Sequence, residues 1–164
     1  MAVTTVRATA RYIPEGVRET YWAPGTGAFA NYNSPGTAEL RGTATLRITK
    51  EIADMGDWTV TADSVDAPDM GTKFTAQVTG KIHADNTTIT MYADLQSNDI
   101  RKQIIRGQAG YIVMLDEGDV TGQTMDIFPV TVSSVSKPTT MGSPSTLIIT
   151  FTPTAIPAEN VAIP

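Results

Sequence analysis

"YADLQSNDIRKQIIRGQAGYIVMLDEG", residues Tyr92–Gly118, sets a short, basic, helix-like piece inside a chain that otherwise reads as strand and turn. Ser97 or Asn98 supplies an N-cap, Asp99 favours the positive end of the helix dipole, and Gly107 provides the stop. Ile100, Ile104 and Ile105 form one apolar stripe, while Arg101, Lys102 and Arg106 take the rest of the surface. The pattern predicts a helix over about 98–106, too short to persist alone in water, so its isoleucines must lean on a sheet. "GYIVML" (110–115) is an unbroken apolar run, which predicts a strand covered on both faces, with that helix on one side. Asp116, Glu117, Gly118 and Asp119 then turn the chain.

Outward from this centre, the signals are those of short antiparallel strands. "KFTAQVTGKIHADNTTITMYAD" (73–94) predicts a hairpin: Phe74, Ala76, Val78 and Ile82, then Ile89 and Met91, form a core face. Gln77, Thr79, Lys81, His83, Thr88 and Thr90 form its polar face. Half-buried strands are also expected at 3–13, 17–23, 43–50, 57–65 and 145–153. A long strand over 121–137 carries Pro129, which calls for an edge or a bulge. Residues 23–42 form a long Gly- and Pro-rich connection with Phe29 and Tyr32 in its middle, and such large apolar rings require a cover. The loop either docks on a partner or folds back on its own domain. The end, "PTAIPAENVAIP", is punctuated by Pro153, Pro157 and Pro164 and is expected to be an extended arm, with Ile156 and Val161 available to a neighbour. The fold class is therefore mainly β, a sandwich or barrel of antiparallel strands with one flanking helix. A single domain spans 1–152, with loop 23–42 protruding and 153–164 as the arm.

The composition agrees: 13 Gly and 10 Pro spread over 164 residues supply the turns that many short strands need. With no cysteine, disulfides and thiolate metal sites are ruled out. The segment Met1–Arg7 lacks the layout of a signal peptide and no run of eighteen apolar residues occurs, so a soluble protein made in a cytoplasm, with no membrane partner, is expected. A net charge of −5 argues against ordinary nucleic-acid binding, which requires a concentrated basic surface. From Glu51 to Asp69 there are six acids and no base, whereas Arg101, Lys102 and Arg106 sit together. Such runs are either solvated faces or opposed patches that meet between copies.

Reactive constellations are missing from the sequence. His83 stands alone with no nucleophile or acid at triad-like spacing, and zinc would need three or four ligands. Asp116, Glu117, Asp119 and Asp126 lack the spacing and closing Glu of an EF-hand loop. Gly25 and Gly27 lack the Lys-Ser/Thr and the helix that make a phosphate cradle. No catalytic residue, metal or cofactor is expected, and the chain is read as one that works by contacting copies of itself.

The order of hairpin, short helix, buried strand, acidic turn, long strand, last strand and proline-punctuated tail, carried by residues 73–118 and 145–164, resembles the major tail tube proteins of long-tailed bacteriophages. The resemblance implies a β-sandwich or barrel flanked by the helix, hexameric rings stacked into a hollow tube in the virion tail, and tape-measure and tail-tip proteins as further partners. DNA would pass in transit without specific binding. It implies lumen-facing positions, for which the polar face of the 73–94 hairpin is the first candidate. The inter-subunit candidates are Phe29, Tyr32, Arg101, Lys102, Arg106, Asp116, Glu117, Asp119, Ile156 and Val161. The rival readings are another self-assembling virion or secretion-tube β-protein and a monomeric ligand-binding sandwich that would use an exposed Trp22 as a stacking platform.

Overall fold

The computed structural model describes residues 13–95 and 100–164. The strand expected at 3–13, apart from Ile13, and the capping residues Ser97, Asn98 and Asp99 lie outside the described residues. Ten strands are present among those described: β1 (Glu19–Pro24), β2 (Leu46–Arg47), β3 (Ile52–Met55), β4 (Val60–Ala67), β5 (Ala76–Ala84), β6 (Thr87–Tyr92), β7 (Ala109–Leu115), β8 (Thr124–Ser136), β9 (Thr146–Pro153) and β10 (Ala158–Ala162). Two short helices, α1 (Thr37–Leu40) and α2 (Ile100–Gln103), and a 3-10 turn at Thr49–Glu51 complete the set.

The main sheet is antiparallel in the order β2-β1-β7-β8-β9-β6-β3, with β10 also paired to β8. Its end strands, β2 and β3, follow one another in the chain and are joined by Ile48 and the 3-10 turn, so the sheet is rolled until its ends are tied together. The roll interior holds Trp22, Ile112, Phe128, Val132, Ile149 and Phe151, with Ile104 sealing it just after α2. β7 is buried on both faces, as its unbroken apolar run requires. Its second face, with Tyr111, Val113 and Leu115, is covered by Phe29, Leu40 and Ile163.

Several expectations are corrected. Loop 23–42 folds back: Phe29 is 3% exposed and packs edge-on against Tyr111 at 5.0 Å between ring centroids. Tyr32 lies 5.8 Å from the same ring and its hydroxyl donates to the Ile156 carbonyl at 3.3 Å. Glu39 pins the loop by accepting from the backbone N–H groups of Ala30 (2.9 Å) and Gly36 (2.8 Å). The tail is a paired strand, because Pro157 and Pro164 flank β10 without interrupting it. Ala158 registers with Ile127 and Val161 with Met125, and Ile163 is buried beyond them.

Pro129 is paired with Tyr111 of β7 on one side and lies at a break between partners on the other. β9 leaves the β8 edge opposite Val130 and β10 takes it up opposite Ile127. Pro129 sits at that junction, where its carbonyl accepts from Thr154 at 2.9 Å and no N–H is demanded of it. The stretch 43–50 pairs only at Leu46–Arg47 before winding into the 3-10 turn. Ile105 is 58% exposed and does not join the sealing stripe. α2 ends at Gln103, short of the expected 106, and Gly107, at φ 85°, lies in a separate turn, its N–H donating to the Val132 carbonyl at 2.7 Å.

The 73–94 hairpin does not form. β5 pairs with β4, in a separate two-stranded sheet, while β6 enters the main sheet between β9 and β3. Residues Asp85 and Asn86 carry the chain from one sheet to the other, and Asp85 N–H is tied to the Thr59 carbonyl at 3.3 Å. The buried face of β6 is completed by Leu147 and Ile149 of β9, which a hairpin with β5 would leave uncovered.

Candidate assembly surface

The β4–β5 hairpin is the most exposed element described. Its root is held by Trp58, which packs on Phe128 at 4.8 Å and on Phe151 at 6.1 Å. Beyond it, residues 61–79 are exposed without a break. The eight residues of β4, at about 3.3 Å each, carry the tip on the order of 25 Å from the root. The two faces differ. Val65 pairs with Val78 and Ala62 with Ile82 on one face, and Val65, Val78 and Ile82 are 51%, 54% and 52% exposed. Met70 and Phe74 at the tip are also exposed. Gln77, Thr79, Lys81 and His83 lie on the other face, with Asp63 Oδ1 3.8 Å from His83 Nδ1 and Gln77 Nε2 donating to Asp66 at 2.9 Å.

Thr88 and Thr90 therefore do not share a strand pair with those four side chains. They belong to the second face of the main sheet, on the half that loop 23–42 and β10 leave open. There Thr88, Thr150 and Ser134 stand in one row across β6, β9 and β8, and Ser134 Oγ donates to Thr150 Oγ1 at 2.9 Å. The next row runs Asp54, Thr90, Ile148, Ser136. Apart from Asp54 on the edge strand, both rows are uncharged. The sequence reading grouped Thr88 and Thr90 with the 73–83 strand and not with Thr150 and Ser134, because cross-strand rows depend on register and register was misassigned.

The acidic turn is engaged within its own chain. Asp119 accepts from Arg41 Nη2 at 2.6 Å and Nε at 3.0 Å, and from the Tyr21 hydroxyl at 2.9 Å. Arg41 Nη1 and the Thr121 hydroxyl both donate to the Pro164 carbonyl, at 3.0 and 3.1 Å, so this cluster clasps the tail. Asp116 pairs with Arg18 at 2.7 Å, and Glu117 remains exposed. Lys102 and Arg106 are exposed and form no ion pair among the described residues. Ile156 is exposed beside the tail turn and Val161 is half-buried on β10. Trp22 is 0% exposed, which removes the stacking platform a carbohydrate-binding sandwich would use.

The clasp sets a pH dependence. The Arg41 guanidinium holds the Asp119 carboxyl below its ordinary value of 3.8, the Tyr21 hydroxyl adding to that effect and partial burial opposing it. A depressed acid contributes stability above its unfolded value and loses it as pH falls through the folded one. Burial, with the Asp119 hydrogen bond second, pushes the Tyr21 phenol from 10.0 up to about 12. That contribution is present below pH 10.0 and is lost as pH rises toward 12. In urea titrations Asp119→Asn is therefore less stable than the parent at neutral pH, and the gap closes below the ordinary carboxylate range. A gap unchanged down to the acid limb would show that Asp119 acts by shape alone.

No group of three or more His, Cys, Asp or Glu side chains able to hold a metal occurs among the described residues. No described helix is long and apolar enough to cross a membrane. Among the described residues the surface thus offers contact area, an uncharged hydroxyl row and a projecting hairpin, with no cluster of metal-ligating side chains.

Comparison with known proteins gives a consistent result. A family model described as "Phage tail tube protein" matches residues 6–164. No curated protein sequence matches the chain. A chain in the cryo-electron-microscopy structure of the anti-feeding prophage baseplate, 6-fold symmetrised, is 9% identical and superposes with a TM-score of 0.56 over 94% of this chain and 95% of that one, a likeness of fold. A crystal structure of an Hcp protein is 8% identical, with a TM-score of 0.38 over 83% of this chain and 87% of that one, too loose to carry an argument.

Proposed function

The chain belongs to the phage tail tube protein family, structural components of the tail, and from that premise we propose that its copies close into rings of six that stack into a hollow conduit for DNA. The observation that carries this reading is the row Thr88, Thr150, Ser134 on the open half of the sheet. A wall of hydroxyls holds a water film and gives a polyanion no cations with which to exchange its counterions, so it has no place to bind and stop. A net charge of −5 keeps the remainder of the subunit repulsive toward phosphate. Thr88 and Thr90 face the lumen in this reading, joined by Thr150 and Ser134. Lys81 and His83 lie on the hairpin instead, with Asp63 Oδ1 3.8 Å from the imidazole Nδ1. The fold recurs in a chain from a 6-fold symmetrised assembly, and six is the ring order proposed here.

In the assembled tail the partners are identical copies, the tape measure protein within the tube and the tail-tip components at its end. Synthesis takes place in the cytoplasm of the host bacterium. Negative-stain electron microscopy of concentrated protein, alone and with tail-tip components added, checks the proposal. Rings or tubes of one diameter are the expected result; single globules under every condition would overturn it.

A further inference from the structure

We propose that the cleft between the end of α2 and the end of β8 is a phosphodiester site, at which each copy holds the backbone of a passing DNA duplex through Arg106 and Lys137. The cleft has a volume of about 340 Å³, and Ile104, Ile105 and Val135 line it beside those two cations. Arg106 and Lys137 are exposed and form no ion pair among the described residues. Lys102, equally exposed and unpaired among them, lies on α2 four residues earlier.

The single sign of charge comes from the sequence. The chain has 17 acids, yet none falls in 100–115 or 127–158, the stretches that supply α2, β7, most of β8 and β9. Those stretches carry Arg101, Lys102, Arg106 and Lys137. Asp126 is at the far end of β8, and Glu19 stands opposite Leu115, at the far end of β7. Across β9, Asp94 follows β6 and Asp54 lies on β3, two and three strands from β8. A cleft of one sign with apolar walls focuses the field of its cations and concentrates anions within it.

Two further features suit the cleft to phosphate. The β7 ladder against β8 ends at the Ala109–Thr131 pair, followed only by contacts of Gly107 and Gln108 with Val132. From Ser133 to Ser136, β8 keeps β9 on one edge and has no strand on the other among the described residues. Backbone N–H groups left on such an edge are donors of the kind that phosphate oxygens accept from, and they carry no base preference. Ser134 lines the cleft and also ends the uncharged row Thr88, Thr150, Ser134. The row itself holds no cation, and an anion travelling along it meets two where it ends. The inference rests on the conduit reading for its ligand and adds a feature to it: each copy touches the duplex at one cationic point and is neutral beside it. With two phosphates neutralised per copy, the association constant should fall about twelvefold between about 50 and 200 mM salt, from a log–log slope of about −1.8.

Heteronuclear NMR spectra of the full chain, kept below the concentration at which it assembles and titrated with a DNA duplex of one helical turn, test the site. Amide shifts should be confined to the residues around Arg106 and to the Ser133–Lys137 end of β8. Arg106→Gln with Lys137→Gln should lower the association constant about tenfold or more and flatten its salt dependence. Lys50→Gln with Lys73→Gln, an equal loss of charge from other exposed lysines, should change it by less than about twofold. Circular dichroism confirms that each variant is folded. Equal weakening by both pairs, or shifts scattered over the surface, overturns the site, because attraction would then have no fixed place. A short polyglutamate that enters the same cleft as tightly as the duplex overturns phosphate as its ligand. Tubes seen by microscopy without the contact sink this inference and leave the conduit standing, whereas the contact without tubes upholds the cleft and sinks the tube reading alone.

Discussion

Removal of residues 158–164 should lower the stability of the isolated subunit by about 3–5 kcal/mol, the scale of deleting one large buried side chain together with its surroundings. β10 is bonded along β8, and Ile163 fills the second core against the sheet face that carries Leu115 and Ile127. Gly122 N–H donates to the Ile163 carbonyl at 3.0 Å and Ile163 N–H to the Gln123 carbonyl at 2.8 Å, so backbone bonds are lost as well. Against a typical total of about 5–15 kcal/mol, such a loss is a large share of the whole. Urea unfolding of the shortened monomer measures it. A midpoint unchanged from the parent would return the tail to the role of an arm that serves only neighbours.

Gly110→Val should be more damaging, leaving little soluble protein. A Cβ at position 110 would lie 2.5 Å from the Ala23 carbonyl oxygen and 2.6 Å from the Trp22 ring. The ring is fully buried at the centre of the roll, and the carbonyl belongs to β1 in register with β7, so neither can retreat without opening the sheet. Overpacking a core ordinarily costs about 1–3 kcal/mol, and a backbone atom among the obstacles places this case at or beyond the top of that range. Soluble yield and the thermal midpoint report the effect. Gly110→Ala should lie between parent and Val, and parent-like behaviour of the Val variant would mean that β1 and β7 are not packed as described.

The parts legible in the sequence are those where one local pattern has one structural solution. "GYIVML" could only be a strand buried twice over, and it is. The prediction of a mainly β, antiparallel fold was secure for the same reason, since alternation in 73–94 and 146–153 fixes faces. Alternation does not fix partners. β5 and β6 each carry a clean two-residue period, yet they pair with β4 and with β9 and β3, because what lies across a strand is decided by residues far away in the chain. The apolarity of Phe29 demanded a cover without saying whose, so both readings of its loop stood open until Tyr111 was placed beneath it. The prolines of the tail were counted as interruptions, when their spacing leaves room for a five-residue strand between them. Which apolar faces stay exposed was not legible, because an exposed apolar face and a buried one are written in the same letters.

The tie between β2 and β3 has a consequence for how the molecule comes apart. A sheet with two loose margins can unzip from either one, strand by strand. Here the margins are consecutive in the chain, and pulling on one draws the other along, so loosening must begin everywhere around the hoop or nowhere. The body should therefore open as one all-or-none unit, while the hairpin outside the hoop breathes on its own. The same polypeptide thus joins a stiff body to a compliant limb, and on the tube reading proposed above a stack of such pieces would flex between copies without any one of them yielding.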